Sequence, residues 1–206
     1  MTNADSKSRA ALRKTFRQRR AALGSAQQQR HGLAALQQLQ HATDLHNVRQ
    51  AGLYFSTSEE LDSGPILDYL LTRNVIVGLP AITDRKAGTM VFRRHHKGAP
   101  LTTGALGLSE PLATATELAI ADFDLLFMPL VAFDDQGHRL GMGGGFYDRA
   151  LGAVAGAARP VLIGLAHSVQ HSESPLPNAE WDIPLDAVLT ERGLITYSAR
   201  GQRTFS

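Results

Sequence analysis

Residues 125–149 read LLFMPLVAFDDQGHRLGMGGGFYDR, and this stretch decides the fold class. Leu125–Phe133 is an apolar run of strand length, which predicts a strand that is buried on both faces. A polar segment follows it, then four glycines within five residues, and then Phe146–Leu151, which can form a helix. A buried strand, a glycine loop and a helix in this order indicate one unit of an α/β protein.

Helical patterns occupy the N-terminal third and a shorter segment at 65–73. A second helix is predicted to open at Ser25, with Gln28 three residues later completing a capping box. Pro65–Arg73 is also predicted to be a helix. Its proline lies in the first turn, where a backbone N–H would have no partner within the helix. The apolar positions that define the first two helices are Leu12, Phe16, Leu23, Leu33, Leu36 and Leu39.

Short apolar runs between these helices predict further strands, at Gly52–Phe55, Val75–Leu79 (ended by Pro80), Thr89–Arg94, Val161–Leu165 and Ala187–Thr190. Strands separated by helices favour a Rossmann-like, mostly parallel sheet with helices on both faces. No internal repeat or low-complexity segment divides the chain, so we expect a single domain over residues 1–206. Ser198–Ser206 is expected to be a frayed tail.

The composition excludes several classes of protein. The 206 residues contain no cysteine, which rules out disulfides, a thiolate nucleophile and Cys-ligated zinc. A net charge of +2 is too small for a polycation that binds nucleic acid through overall charge. The N-terminal residues are polar without a secretory signal, and the longest apolar stretch is too short to span a bilayer. We therefore expect a cytoplasmic protein that binds neither membranes nor nucleic acid.

The glycine loop Gly141–Gly145 predicts a phosphate site. Without Cβ atoms, successive backbone N–H groups can converge on an anion, and the helix that follows would direct its N-terminus at the same place. Arg139 and Arg149 flank the loop as counter-charges, and Asp148 offers a hard oxygen ligand for a magnesium ion on the phosphates. No Gly-Lys-Ser/Thr follows, so the loop is not a Walker-type P-loop.

A short basic segment lies within the first predicted helix and has two interpretations. It is either a solvated helix face or a local site for phosphate or an acidic substrate tail. Under the second interpretation Arg13 contacts the ligand, whereas Arg19 and Arg20 are mostly solvated. The cations of the segment are Lys7, Arg9, Arg13, Lys14, Arg17, Arg19 and Arg20.

Other motifs carry less chemistry. His167 and His171 have the spacing of helical metal ligands, but no third ligand is apparent, so the sequence does not favour a metal site there. Trp181, the one tryptophan, is either a core anchor or a ring that stacks on a flat ligand. No nucleophile elbow and no Cys/His pair is present, so no covalent nucleophile is predicted.

Taken together, these motifs resemble the 5-formyltetrahydrofolate cyclo-ligase family, also called methenyltetrahydrofolate synthetases. The glycine loop and the strand before it carry the specific part of the resemblance, which covers nearly the whole chain in the family's order. The matching segments are Leu12-Arg13 with the basic run, Tyr54–Glu60, Glu110-Pro111, Leu125–Asp134, Gly137–Arg149 and Glu180–Asp186.

The resemblance implies a fold like that of sugar-phosphate isomerases and coenzyme A transferases. It implies conversion of 5-formyltetrahydrofolate to 5,10-methenyltetrahydrofolate, with ATP as co-substrate, Mg²⁺ as cofactor, and release of ADP and phosphate by a monomer or homodimer. ATP would phosphorylate the formyl oxygen before N10 attacks. The implied metal ligands are Asp148 and Asp182, and the implied substrate contacts are Phe55, Glu60, Tyr147 and Trp181. The implied ATP contacts are Arg9, Arg13, Arg139, Leu140, Gly141, Met142, Gly143, Gly144, Gly145, Phe146 and Tyr147.

The chain departs from the family pattern in the cations around the loop. The family usually has lysine where this chain has Arg9, and some members carry arginine and lysine where Met142 and Gly144 stand. Backbone N–H groups and flanking arginines must then carry more of the phosphate charge. Two other hypotheses stay open from the sequence: another enzyme of the same fold, and a regulatory or RNA-associated protein that uses the basic helix. The alternative for Glu60 is that it merely solvates a loop beside Glu59.

Overall fold

The computed structural model describes residues 3–43, 45–154 and 159–205, with the side chains described from residue 7 onward. Ser206 of the predicted tail lies outside these residues. The helices are α1 Asn3–Ala21, α2 Ser25–Ala42, α3 Gly64–Thr72, α4 Phe146–Gly152 and α5 Ala199–Thr204. The strands are β1 Gln50–Gly52, β2 Ile76–Asp84, β3 Thr89–His95, β4 Leu101–Thr103, β5 Ser109–Pro111, β6 Glu117–Leu118, β7 Leu125–Pro129, β8 Ala132–Asp134, β9 Arg139–Leu140, β10 Val161–Leu165, β11 His171–Ser172, β12 Ala187–Thr190 and β13 Gly193–Thr196.

A mixed sheet of eight strands forms the centre of the protein, in the order β13-β12-β10-β7-β1-β2-β3-β6. The five inner strands, β12 to β2, run parallel, while β13, β3 and β6 are antiparallel to their neighbours. The predicted mostly parallel α/β fold is therefore confirmed. None of the described helices is long and apolar enough to cross a membrane.

Strand β7 shows why this sheet needs helices on both faces. Leu125 and Phe127 belong to one buried cluster, whereas Leu126 and Met128 belong to another on the opposite side. Successive side chains of a strand point to opposite faces, so a continuous apolar run must be covered twice. Helices α2 and α3 supply the cover on the first face, and α4 contributes Leu151 to the second. Each large side chain buried in this way stabilises the fold by roughly 1.5–3 kcal/mol.

The predicted strand Leu125–Phe133 is in fact two strands in two sheets. β7 ends at Pro129, and β8 belongs to a small sheet in the order β11-β8-β9. At the break, the Gln170 side-chain amide donates to the carbonyls of Leu130 and Val131, at 2.8 and 3.1 Å. This side chain replaces the missing sheet partner of the backbone at the break. The small sheet carries the chain from the end of β7 to the glycine loop.

Pro80 does not end β2, contrary to the prediction, and the strand continues to Asp84. The carbonyl of Gly78 accepts from the Leu53 N–H on the β1 side, at 2.9 Å. Alternate residues of a strand direct their backbone groups to the same neighbour, so the nitrogen of Pro80 also faces the β1 side. β1 has already ended there, and no donor is required.

Two details of helix α2 were predicted wrongly. Its N-cap is Gly24 without a side-chain cap, so Ser25 is already helical and the capping box with Gln28 does not form. Leu39 is buried as predicted, but Leu33 is 57% exposed. The leucines at 33, 36 and 39 span more than one face of the helix, and only the last points fully into the core.

The C-terminal segment is structured rather than frayed over the described residues. Strand β13 pairs with β12, and Ser198 caps α5 by accepting from the N–H of Gly201. The buried Asp186 holds this segment in place, because its carboxylate accepts from Ser198 (2.5 Å), from Arg159 (2.5 Å) and from the Leu162 N–H (2.9 Å). A tail that looks polar in sequence is thus anchored by one buried carboxylate.

We expect Asp186→Ala to destabilise the protein by about 3–5 kcal/mol, because it leaves buried partners unpaired. Burial alone would raise the pKa of Asp186, but its hydrogen bonds from Arg159, Leu162 and Ser198 outweigh burial and hold that pKa below the usual 3.8. The contribution is therefore present above pH 3.8 and lost as the pH falls through the lower folded value. Urea unfolding at neutral and acid pH measures this. Asp135→Ala, at an exposed ion pair with His171, is the control and should cost less than about 1 kcal/mol.

Candidate active site

A cavity of about 910 Å³ lies beyond the carboxyl ends of β1 and β7, the place where open α/β sheets bind their ligands. Helix α1, the glycine loop and α4 form part of its wall, and the β4–β5 hairpin forms another part. All the predicted site residues except Leu140 line this one cavity. They are Arg9, Arg13, Phe55, Glu60, Arg139, Gly141, Met142, Gly143, Gly144, Gly145, Phe146, Tyr147, Asp148, Trp181 and Asp182.

The glycine loop needs most of its glycines for its own shape. Gly143 (φ +102°) and Gly145 (φ +65°) adopt left-handed conformations that L side chains rarely reach. A Cβ at Gly144 would lie 2.7 Å from the ring of Phe146. Gly141 is different, because a Cβ there would meet no described atom within 4 Å. Of the four, Gly141 is the glycine whose replacement tests the ligand rather than the loop.

Two arginines hold the loop from outside. Arg13 Nε donates to the carbonyl of Gly141 at 2.8 Å, and Arg149 donates to the carbonyl of Gly144. Burial lowers the pKa of Arg13, and the like charge of Arg9 lowers it further. Arg13 and Arg149, which both contact the loop, create a local positive field that favours an anionic ligand.

The two predicted metal carboxylates form ion pairs beside the loop. Asp182 Oδ2 lies 2.5 Å from Arg9 Nη2 and also accepts from the Ala179 N–H at 2.9 Å. Asp148 pairs with Arg139, whose guanidinium also donates to a backbone carbonyl. The structure therefore brings both carboxylates to the same cavity, each neutralised by one arginine.

At the other end of the cavity the structure distinguishes Glu60 from Glu59. The Glu60 side chain is 12% exposed and accepts from the Thr57 N–H at 2.9 Å, whereas that of Glu59 is 41% exposed. Arg20 lies between them, 3.1 Å from Glu59 Oε2 and 3.9 Å from Glu60 Oε1. Both residues line the cavity, and Glu60 is the more buried carboxylate of the two.

Arg20 was predicted to be solvated, and this is wrong. Its side chain is almost completely buried, while Arg19 is exposed as expected and lies over the ring of Phe16. Positions 9, 13, 16 and 20 recur at helical spacing, so one face of α1 carries three arginines and a phenylalanine inward. That spacing was the available signal for Arg20.

Two tyrosine hydroxyls near Glu60 are buried without a partner among the described residues. Burial raises the pKa of both Tyr54 and Tyr147, and the charge of Glu60 raises each further. Both residues line the cavity, and buried polar atoms in proteins are almost always hydrogen-bonded, so these hydroxyls are available to a polar partner beside Glu60. No sequence signal indicated a role for Tyr54, which lies in an apolar run.

The rim of the cavity is apolar and exposed. Trp181 is 59% exposed, so its interpretation as a core anchor is wrong. Met142, Leu106 and Leu108 are also exposed and line the same cavity. Leu106 and Leu108 belong to the β4–β5 hairpin, whose role the sequence did not reveal. Leu140 points away from the cavity into a small core with Phe16, Val131, Ala132 and Leu176.

Comparison with known proteins gives the family of this chain. The model of the 5-formyltetrahydrofolate cyclo-ligase family matches residues 5–191. The 5-formyltetrahydrofolate cyclo-ligase of Escherichia coli is 39% identical over 176 residues, which is 85% of this chain and 96% of the relative. The mouse enzyme of the same name is 25% identical and covers 87% and 92% of the two chains.

Solved structures give the same result. The NMR structure of Aquifex aeolicus 5,10-methenyltetrahydrofolate synthetase superposes with a TM-score of 0.79 at 30% identity, covering 92% of each chain. The Mycoplasma pneumoniae 5,10-methenyltetrahydrofolate synthetase shares the fold, with a TM-score of 0.69 at 22% identity and coverage of 89% and 98%. The chain therefore belongs to the 5-formyltetrahydrofolate cyclo-ligase family, and its activity is the conversion of 5-formyltetrahydrofolate to 5,10-methenyltetrahydrofolate.

Proposed function

We propose that this conversion uses ATP and Mg²⁺ and releases ADP and phosphate, with the triphosphate at the glycine loop and the reduced folate at Glu60. The observation that carries the proposal is the cavity itself. It joins a cationic glycine loop at one end to a buried carboxylate and two orphan hydroxyls at the other. An enzyme that transfers a phosphoryl group from a nucleotide to a folate needs both ends in one enclosure.

The phosphate end of the proposal consists of the loop and three arginines. The loop N–H groups and the guanidinium groups of Arg9, Arg13 and Arg139 supply the positive charge. Positioning and neutralisation of charge account for most of the catalysis of phosphoryl transfer, so no nucleophilic side chain is required. The apolar rim residues Met142 and Trp181 would cover the nucleotide and limit access of water.

Asp148 and Asp182 fit a magnesium ion by their chemistry. Both are carboxylates on the wall of the phosphate cavity, and hard oxygen ligands are what Mg²⁺ prefers. Together these two carboxylates would hold the ion beside the phosphates, where it would supply positive charge during phosphoryl transfer. Arg9 and Arg139, which pair with these carboxylates here, would then be released to the phosphates.

The folate end is built for the polar edge of a pterin. A reduced pterin presents a row of N–H donors, and a carboxylate is their natural acceptor. Glu60 is held ready by the Thr57 N–H and by the charge of Arg20. Phe55, fixed edge-on by His95 at 5.6 Å between ring centroids, supplies a flat apolar contact beside it.

The chemistry explains why ATP is needed. The oxygen of a formamide does not leave as hydroxide when N10 attacks the carbon. Transfer of the γ-phosphoryl group to the formyl oxygen converts that oxygen into a phosphate leaving group. N10 then attacks the electrophilic carbon, phosphate leaves, and the methenyl bridge closes. The protein holds the two substrates in line and excludes water.

We expect methenyl product, followed by its absorbance, only when 5-formyltetrahydrofolate, ATP and Mg²⁺ are all present.

Asp148→Asn should raise the magnesium concentration for half-maximal activity by about tenfold or more, because a metal-bound carboxylate is lost. The Michaelis constant for folate should stay near the parent value. A magnesium titration that overlays the parent's would remove Asp148 from the metal site.

The glycine loop is tested at Gly141, where a side chain would meet no described protein atom within 4 Å. We expect Gly141→Val to leave the unfolding free energy unchanged and to weaken ATP binding by about tenfold or more, since a side chain there would occupy ligand space. Gly24→Val is the control for ATP affinity, because Gly24 also has open surroundings and lies outside the cavity. Since Gly24 is the N-cap of α2, this variant should cost about 1 kcal/mol of stability but leave ATP affinity unchanged. Normal ATP affinity in a folded Gly141→Val protein contradicts the loop assignment.

The folate end is tested by a pair of adjacent variants. Glu60→Gln replaces a carboxylate acceptor by an amide that matches the pterin N–H donors poorly. The lost hydrogen-bond energy, about 1.5–3 kcal/mol, should raise the Michaelis constant for folate about tenfold to a hundredfold. Glu59→Gln should change it little, because Glu59 is exposed. ATP affinity should be unaffected in both. If neither variant loses folate affinity, the acidic segment is not the pterin site.

A further inference from the structure

A second cluster of ligand-type side chains lies among described residues that do not line the active-site cavity. His31 comes from α2, His167 follows β10, and Glu191 follows β12. One ligand atom from each lies within 4.8 Å of the others. None of the three is among the described residues that line the cavity. The cluster thus joins three separate parts of the chain.

The distances within the cluster suit a tetrahedral metal ion. His31 Nδ1 lies 2.9 Å from His167 Nδ1 and 3.6 Å from Glu191 Oε2. Ligand atoms bound to zinc at about 2.0–2.1 Å lie about 3.3 Å apart in a tetrahedron, and the two distances fall on either side of that value. Small rotations of the rings would equalise them.

The geometry of the cluster leaves acceptor atoms directed at the common point. The two facing Nδ1 atoms of His31 and His167 cannot both carry hydrogen at 2.9 Å, so at least one of them presents a lone pair. Glu191 Oε2, 3.6 Å from His31 Nδ1, adds a carboxylate oxygen at the same point.

The surroundings orient the ligands, as outer groups do in metal sites. Ser168 donates to Glu191 through both its backbone N–H (2.9 Å) and its hydroxyl. The His167 N–H of the backbone donates to Gln170 Oε1 at 2.8 Å, which fixes the turn that carries the ring. His167 is fully buried, and its ring also contacts the backbone of Glu60.

We propose that His31, His167 and Glu191 bind a zinc-class transition-metal dication, which fastens α2 to the carboxyl ends of β10 and β12. Two imidazoles and one carboxylate match zinc and related ions, whereas magnesium prefers oxygen ligands alone. A water molecule would complete the tetrahedron. The site stabilises the fold behind the folate end and takes no part in phosphoryl transfer. His171, which has helical ligand spacing from His167, is not part of this cluster and contacts Asp135 at 2.7 Å.

The test uses the full chain, stripped with a chelator and kept in excess Mg²⁺ so that the active-site carboxylates are occupied. Cobalt(II) is the probe, because tetrahedral cobalt absorbs strongly in the visible range, and zinc(II) should displace it. We expect one equivalent to bind, and zinc to raise the melting temperature. His31→Gln should weaken binding by more than about tenfold and abolish the thermal shift. His41→Gln, at an exposed histidine on the same helix, should change neither.

His31 is partly exposed on the helix, so its replacement should fold, and circular dichroism checks this. Equal metal affinity in the parent and in His31→Gln overturns the proposal. So does binding that survives in His31→Gln but is lost in Asp148→Asn, which would assign the ion to the active site. Absence of binding between about pH 6 and pH 9 also overturns it, since a proton would then be the cation that the cluster holds.

Discussion

The inward-facing arginines of α1 impose the constraint on which the site depends. A buried guanidinium must be paired, because an unpaired buried charge costs several kcal/mol. Arg9 meets Asp182 across 173 residues of sequence, Arg13 meets the glycine-loop carbonyl, and Arg20 meets the acidic segment. The three contacts bring three parts of the chain around helix α1: the segment that carries Asp182, the glycine loop, and the acidic segment after β1. The cavity is the space that these pairings enclose.

The same pairings explain how a strongly charged site is stable before its ligands arrive. In the structure each carboxylate proposed for the metal is neutralised by an arginine proposed for the phosphates. Under the proposed function, Asp148 and Asp182 exchange their arginine partners for the magnesium ion, and the arginines exchange theirs for the phosphates. No buried charge is then left without a partner in the low-dielectric interior. Lysine would do this less well, because a guanidinium offers several donors in a plane and can hold both partners during the exchange.

The sequence predicted what depends on local pattern and missed what depends on distant partners. The apolar run Leu125–Met128 and the helix after the glycine loop are local signals, and the structure has a strand and a helix at these places. The break after Pro129 was invisible, because Gln170 from forty residues away satisfies the backbone there. The ordered tail depends on Asp186 in the same way, and the burial of Arg20 depends on Glu59. Tyr54 was missed because an apolar pattern does not show where a hydroxyl points.

Helix α4 shows how one short element can bring the two substrates together. Consecutive helical residues diverge by about 100°, so Tyr147 and Asp148 point to different parts of the cavity from nearly the same place. The hydroxyl of Tyr147 is near Glu60, at the folate end, and Asp148 pairs with Arg139, at the phosphate end. The formyl oxygen and the γ-phosphorus must come within bonding reach for transfer. Under the proposed function, the first turn of α4 is therefore where donor and acceptor meet, and the positive φ of Gly145 is what starts that turn at the right place.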